Sequence, residues 1–163
     1  NLIAAANTLW ITGEFTYFDL ASFLAKKFLS YGQNANAFQP GIVSTSKALV
    51  QMEAGDALLA FAGTEASLDT GYAVRMAKKK GLQTVAIVGS GVILPAREAD
   101  VTVTVPQDSP AGISAFGLLF QVTSFIWEAV MVEREPECAE YEKQLFTQMN
   151  RMLRCARRPL SSR

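Results

Sequence analysis

Five short apolar runs alternate with stretches of helical period along this chain. Residues 8–12 (TLWIT) are almost wholly apolar and stop at Gly13, as a strand covered on both faces does. From Asp19 onward Leu20, Leu24 and Phe28 recur every four residues, flanked by Ala21 and Phe23. Gly32 then stands where a left-handed C-terminal cap belongs, so a helix is predicted to start near Asp19. Residues 34–38 read as extended and break at Pro40 and Gly41; residues 43–52 form a weaker helix, and Gly55 with Asp56 a turn. Residues 56–62 (DALLAFA) are the clearest buried strand and run into the polar turn Gly63, Thr64, Glu65, Ala66, Ser67. Ser67 reads as the N-cap of a helix that carries Leu68, Tyr72, Met76 and Ala77 and ends in Lys78, Lys79 and Lys80 before Gly81. Residues 84–88 give a fourth strand, 95–99 a helical turn, and 101–105 a fifth strand ended by Pro106. Strands separated by helices require parallel crossovers. The predicted fold class is therefore α/β: a three-layer sandwich around a five-stranded parallel sheet, with strands ending near Thr12, Phe38, Ala62, Val88 and Val105.

Residues 112–132 break the pattern, being apolar nearly all round (Phe116, Leu118, Leu119, Phe120, Val122, Phe125, Ile126, Trp127, Val130). The stretch is long enough to span a bilayer. However, Gln121, Ser124 and Glu128 fall inside it, and an acid at mid-membrane costs about 3 kcal/mol. A buried helix is expected, and burial on every side calls for a partner subunit as well as the sheet. Residues 135–155 then form an amphipathic helix with Tyr141, Leu145, Met149, Met152 and Leu153 along one side, followed by a basic end of Arg151, Arg154, Arg157 and Arg158. The domain organisation follows: residues 1–134 as the ligand-binding domain, and 135–163 as the amphipathic helix and basic tail of the same domain.

Composition narrows the chemistry. At 163 residues, half of them hydrophobic and 18% charged, the chain is one ordered domain rather than a disordered segment. Fifteen Lys plus Arg balance fifteen Asp plus Glu, so no overall field draws this sequence to nucleic acid or anionic lipid. The absence of His removes the usual general base near neutral pH and the commonest metal ligand; zinc chemistry and Ser-His or Cys-His catalysis are excluded, and no metal or cofactor is expected. Cys138 and Cys155 lie in the same expected helix, about 25 Å apart at 1.5 Å per residue, and cannot bridge each other. Without a signal peptide or a disulfide framework the expected compartment is the cytoplasm. The first residue is Asn1 rather than Met, with a strand close behind, so a longer protein is expected.

In an open parallel sheet, ligands sit beyond the carboxyl ends of the strands where the winding reverses. Two loops qualify. The first is residues 13–18 (GEFTYF). The second is residues 63–67 (GTEAS), whose amides and hydroxyls at a helix N-terminus could hold an anion. Each also has a purely structural reading, Gly13 as a tight turn and Ser67 as a cap contributing about 1 kcal/mol. Glu65 suits a helix N-terminus but repels a phosphate about 4 Å away by roughly 4 kcal/mol at an effective dielectric of 20. Either Glu65 turns to solvent, or the ligand is neutral or cationic at that end.

The order of these pieces resembles the sugar isomerase (SIS) domain, in particular the effector half of RpiR-type bacterial transcription regulators. The likeness runs from about residue 4 to 132 and rests on AANTLWITG, LAKKFLSYG, MEAGDALLAFAGTEAS, AVRMAKKKGLQTVAIVGS and LPAREADVTVTVP. Those regulators place a glycine-rich turn with a serine after the first strand and an S-x-S-G-x-T turn after the third. Here Gly13 stands at the first glycine, Phe15 at the second and Tyr17 at the loop serine, with Thr16 as a neighbouring hydroxyl. Ala62 stands at the first serine of the second turn, Thr64 at the second, Glu65 at the glycine and Ser67 at the threonine. The resemblance implies flavodoxin-like winding and a ligand site at Gly13, Thr16, Tyr17, Gly63, Thr64, Glu65 and Ser67 for a sugar phosphate or related sugar. It also implies DNA contact only through an N-terminal helix-turn-helix outside this sequence, while the apolar stretch 112–132 calls for self-association as a homodimer or higher and the acid inside it for no membrane. Three functions compete: a ligand-sensing effector module, an aldose-ketose isomerase using Glu14, Glu65 or Glu128 as base, and a degenerate SIS fold kept as a dimerisation scaffold. The sensor reading fits best, because isomerisation needs a placed general base and no His assists ring opening.

Overall fold

The computed structural model describes residues 2–63, 67–105 and 115–156. Its elements follow one another as β1 (Leu9–Gly13), α1 (Thr16–Leu29), β2 (Ala35–Phe38), α2 (Ile42–Gln51), β3 (Ala57–Ala62), α3 (Leu68–Lys79), β4 (Gln83–Val88), α4 (Leu94–Glu98), β5 (Val101–Thr104), α5 (Ala115–Glu133) and α6 (Glu135–Ala156). The strands form one sheet in the order β2-β1-β3-β4-β5, and each neighbouring pair is parallel. The winding reverses between β1 and β3, because the chain first runs outward to β2 and then returns to the other side of β1.

Alternation along the strands divides the core. Leu9, Ile11, Leu59, Phe61, Val85 and Ile87 face one side and pack against Leu20, Leu24 and Phe28 of α1 and Leu119 and Val130 of α5. Trp10, Leu58 and Ala60 face the other, against Ala48 of α2 and Ala73, Val74 and Ala77 of α3. Because both faces of β1, β3 and β4 are covered, these three strands carry near-continuous apolar runs, whereas the edge strand β5 is exposed along its length. Asp56 fixes the register at the amino end of the sheet: its carboxylate accepts from the Thr8 amide at 3.0 Å, Trp10 Nε1 at 3.0 Å and the Glu53 amide at 2.9 Å.

Glycine caps end α1 and α3 as predicted. Gly32 has φ 84° and Gly81 φ 93°, and the amides after them bond back to Phe28 and Ala77. The Tyr141 ring of α6 sits where a side chain on Gly32 would be, which docks α6 against the end of α1.

Three expectations change. Helix α1 starts at Thr16, not near Asp19, because the chain reverses at Phe15 and puts Thr16, Tyr17 and Phe18 in the first helical turn. Ser67 stands at the N-cap of α3, but its side chain makes no capping hydrogen bond. Helix α5 is not buried on every side in the isolated chain: Leu119, Thr123 and Val130 face inward, while Phe120, Phe125 and Val132 are exposed. Among the described residues no helix is long and apolar enough to cross a membrane. Cys138 and Cys155 are both free, on α6.

Candidate functional site

The crevice at the reversal point is built from the ends of β1 and β3 and the helices that follow them, the location where α/β sheets hold ligands. Gly13 ends β1 and is buried. Thr16 is exposed and Tyr17 half-buried in the first turn of α1; Gly63 and Ser67 are buried on the β3 side. Thr64 and Glu65 lie outside the described residues, so the carboxylate singled out in the sequence is not placed.

Tyr17 joins the two loops. A Cβ on Gly63 would lie 1.5 Å from the Tyr17 hydroxyl oxygen, and one on Gly13 would lie 2.8 Å from Tyr17 Cβ. Both glycines are therefore required by the close approach of this one side chain. The ring crosses from the β1 side of the crevice to the backbone of Gly63. Beside it, Thr12 donates from Oγ1 to the Phe38 carbonyl at 2.8 Å and holds the end of β1 to β2.

The contact that sequence reasoning missed is Glu14 to Thr70. Glu14 Oε1 accepts from the Thr70 amide at 2.8 Å and from Thr70 Oγ1 at 3.1 Å. Thr70 is the third residue of α3, and its amide is one that an N-cap side chain ordinarily satisfies. The cap of α3 thus comes from the loop after β1, fifty-six positions earlier. No local pattern could have revealed it, since Ser67 offers the standard cap signature in the standard place. Phe15, next to Glu14, has φ 52° and ψ −126°, is 77% exposed, and is the single non-glycine with positive φ among the described residues.

The mouth carries no cation from the chain segments that form it: no Lys or Arg occurs among residues 1–25 or 48–74. A second concavity, of about 220 Å³, lies between α2 and α3 and is lined by Gly41, Ile42, Thr45, Leu49, Asp69 and Tyr72. Sequence reading gave no signal for it, because its walls are helix residues far apart along the chain. Among the described residues no cluster of acids and cysteines has metal-holding geometry.

This arrangement was compared with known proteins. No family model matches the chain, and no curated protein matches it. Solved structures do. The sugar isomerase domain of an RpiR transcription factor from Sphaerobacter thermophilus superposes with a TM-score of 0.77 at 20% identity, over 90% of this chain and 82% of that one. The chain has the sugar isomerase (SIS) fold. An Escherichia coli CFT073 protein solved in complex with A5P matches with a TM-score of 0.68 at 15% identity, over 86% of this chain and 79% of that one. The Vibrio vulnificus NanR protein complexed with ManNAc-6P matches at 0.66 and 12% identity, over 90% of this chain and 58% of that one. The five-stranded flavodoxin-like winding expected from the sequence is the winding observed here.

Proposed function

We propose that this SIS domain is the effector-binding module of a cytoplasmic bacterial transcription regulator, sensing a sugar phosphate or a related sugar in the crevice between the β1 and β3 loops. The fold it shares with a transcription factor's sugar isomerase domain and with two sugar-phosphate complexes supports the reading. In this reading DNA is contacted by a helix-turn-helix outside the present sequence, and the module pairs with a second copy through α5 and α6.

The observation that favours a sensor over an isomerase is the commitment of Glu14. A carboxylate that abstracts a proton must reach the carbon acid in a substrate pose. Glu14 instead spends its Oε1 on two hydrogen bonds to Thr70. Glu128 is exposed on α5, Glu65 lies outside the described residues, and the sequence holds no His to open a sugar ring. The scaffold reading has its own support in the Tyr17 ring pressed onto Gly63 between the two loops.

A thermal-shift panel of sugar phosphates and their unphosphorylated sugars separates these readings. A ligand at a hundred times its dissociation constant should stabilise the domain by about 2.7 kcal/mol without being turned over. Turnover of a sugar phosphate would establish the isomerase. Indifference to every sugar would favour the scaffold.

A further inference from the structure

Helices α2 and α3 carry exposed apolar side chains on the side of the sheet opposite α1 and α5. Ile42 and Val50 of α2 are 88% and 82% exposed, with Val43 beside them. All three project away from Ala48, the α2 residue buried against the sheet. Across the 220 Å³ concavity, Tyr72 and Met76 of α3 are each about half exposed. Charge is laid out along the same face. α3 has Asp69 in its first turn and Lys79 in its last. At 1.5 Å per residue the two are about 15 Å apart, and at 3.6 residues per turn Asp69, Tyr72, Met76 and Lys79 project within about a quarter turn of one another. Among the described residues neither Asp69 nor Lys79 has an opposite charge within ion-pair distance, whereas Arg75 and Lys78 are paired with Glu98 and Asp100 on the side toward α4.

The face is thus acidic at one end, apolar in the middle and basic at the other. Position 74 is midway between Asp69 and Lys79 and also midway between Tyr72 and Met76. Both helices follow parallel strands and run the same way. Ile42 and Asp69 line the concavity together, and Lys80 at the far end of α3 donates to the Leu49 carbonyl. Ser46, midway between Ile42 and Val50, is therefore about level with the centre of α3. We propose that this face docks a second copy of the chain, antiparallel about a two-fold axis across the middle of α2 and α3, so that Asp69 meets Lys79 of the partner subunit and Ile42 meets Val50 of the partner subunit. A two-fold contact needs a surface complementary to itself when reversed, and this one is. A parallel arrangement sets acid against acid and base against base. The contact is separate from the pairing through α5 and α6 and holds whether or not a sugar binds.

The test is sedimentation of the full chain over a concentration series, with circular dichroism to confirm each fold. The wild type should associate reversibly, and Ile42→Glu should remove that step. An acid suits the first turn of α2, which has none, so this variant keeps the helix while placing a charge in the contact. Asp69→Lys and Lys79→Glu should each raise the dissociation constant roughly tenfold or more, because each turns two attractive pairs into two repulsive ones. The double variant Asp69→Lys with Lys79→Glu restores opposite charges and should recover most of the loss. Added salt should narrow the difference between the wild type and the single variants. Association that Ile42→Glu leaves intact, single reversals that associate as tightly as the wild type, or a double variant no tighter than either single one overturns the proposal, as does a wild type that never associates. The pairing through α5 and α6 fails separately: association lost in Phe125→Glu and untouched by Ile42→Glu keeps that pairing and overturns this contact, and the reverse pattern does the opposite.

Discussion

Phe15 combines two costs that a residue chosen for packing would avoid: a backbone conformation at φ 52°, ψ −126°, and a ring that is 77% exposed. The conformation is that of the first central residue of a type II′ turn, where the absence of a Cβ is favoured. Strain of this kind costs of order 1–3 kcal/mol, while a glycine replacing it loses about 0.4–1 kcal/mol through the freer unfolded chain. Relief of strain is the larger effect, so Phe15→Gly should stabilise the domain by about 1 kcal/mol. Urea denaturation of the two proteins measures it directly. A fall in stability would mean that the Phe15 ring makes contacts worth more than the strain.

At the scale of elements, the fold was legible wherever the signal was local. The apolar runs at Trp10, Leu59 and Ile87 marked the strands because both sheet faces are covered. Gly32 and Gly81 marked helix ends because only a left-handed residue satisfies the last carbonyls there. What escaped were the side-chain contacts between residues distant in sequence, the Glu14 cap of α3 and the Tyr17 bridge to Gly63, and one local feature, the start of α1, which is set by the turn at Phe15 rather than by the apolar period. The ion pairs and the hydrogen bond that hold α3 and its C-terminal end against their neighbours were equally invisible. Lys78 meets Asp100 at 2.8 Å, Arg75 meets Glu98 at 2.8 Å, and Lys80 donates to the Leu49 carbonyl. Glu98 is held below its ordinary value of 4.5 chiefly by its hydrogen bond from Arg75. Burial pushes Asp100 upward, but hydrogen bonds from Lys78 and from the Thr84 hydroxyl and amide together outweigh it, leaving the carboxyl below its ordinary 3.8. Both folded-state values are depressed. Their contribution is therefore complete above the ordinary carboxylate range and is lost as pH falls through the folded values below it. The urea midpoint should decline below about pH 4, and Asp100→Asn should make that decline shallower. An unchanged acid limb in the variant would show that Asp100 contributes nothing to it.

At the scale of the whole molecule, the chain leaves an apolar surface that one copy does not cover. Phe125 and Val132 of α5 are 67% and 76% exposed, and Phe146 and Met152 of α6 are 67% and 72% exposed. Leu145, Met149 and Leu153 continue the exposed apolar surface along α6, a 22-residue helix otherwise anchored by Tyr141 at Gly32. We read exposed apolar side chains in this number on two successive helices as an interface rather than the ordinary scatter of single exposed side chains. A second copy supplies a partner with the same requirement, and a two-fold arrangement satisfies both at once. Phe125 is the discriminating position. Phe120 stacks on Phe23 of α1 at a centroid distance of 5.2 Å, so replacing it disturbs the subunit itself, whereas Phe125 faces outward and can change without loss of internal packing. Phe125→Glu and Phe146→Glu should each leave the circular dichroism spectrum unchanged while halving the mass seen by light scattering. Burial of an unpaired carboxylate at an interface costs several kcal/mol, enough to shift a micromolar dimer to monomer at ordinary working concentrations. A wild type that is already monomeric, or dimers that survive both substitutions, would falsify the pairing through α5 and α6.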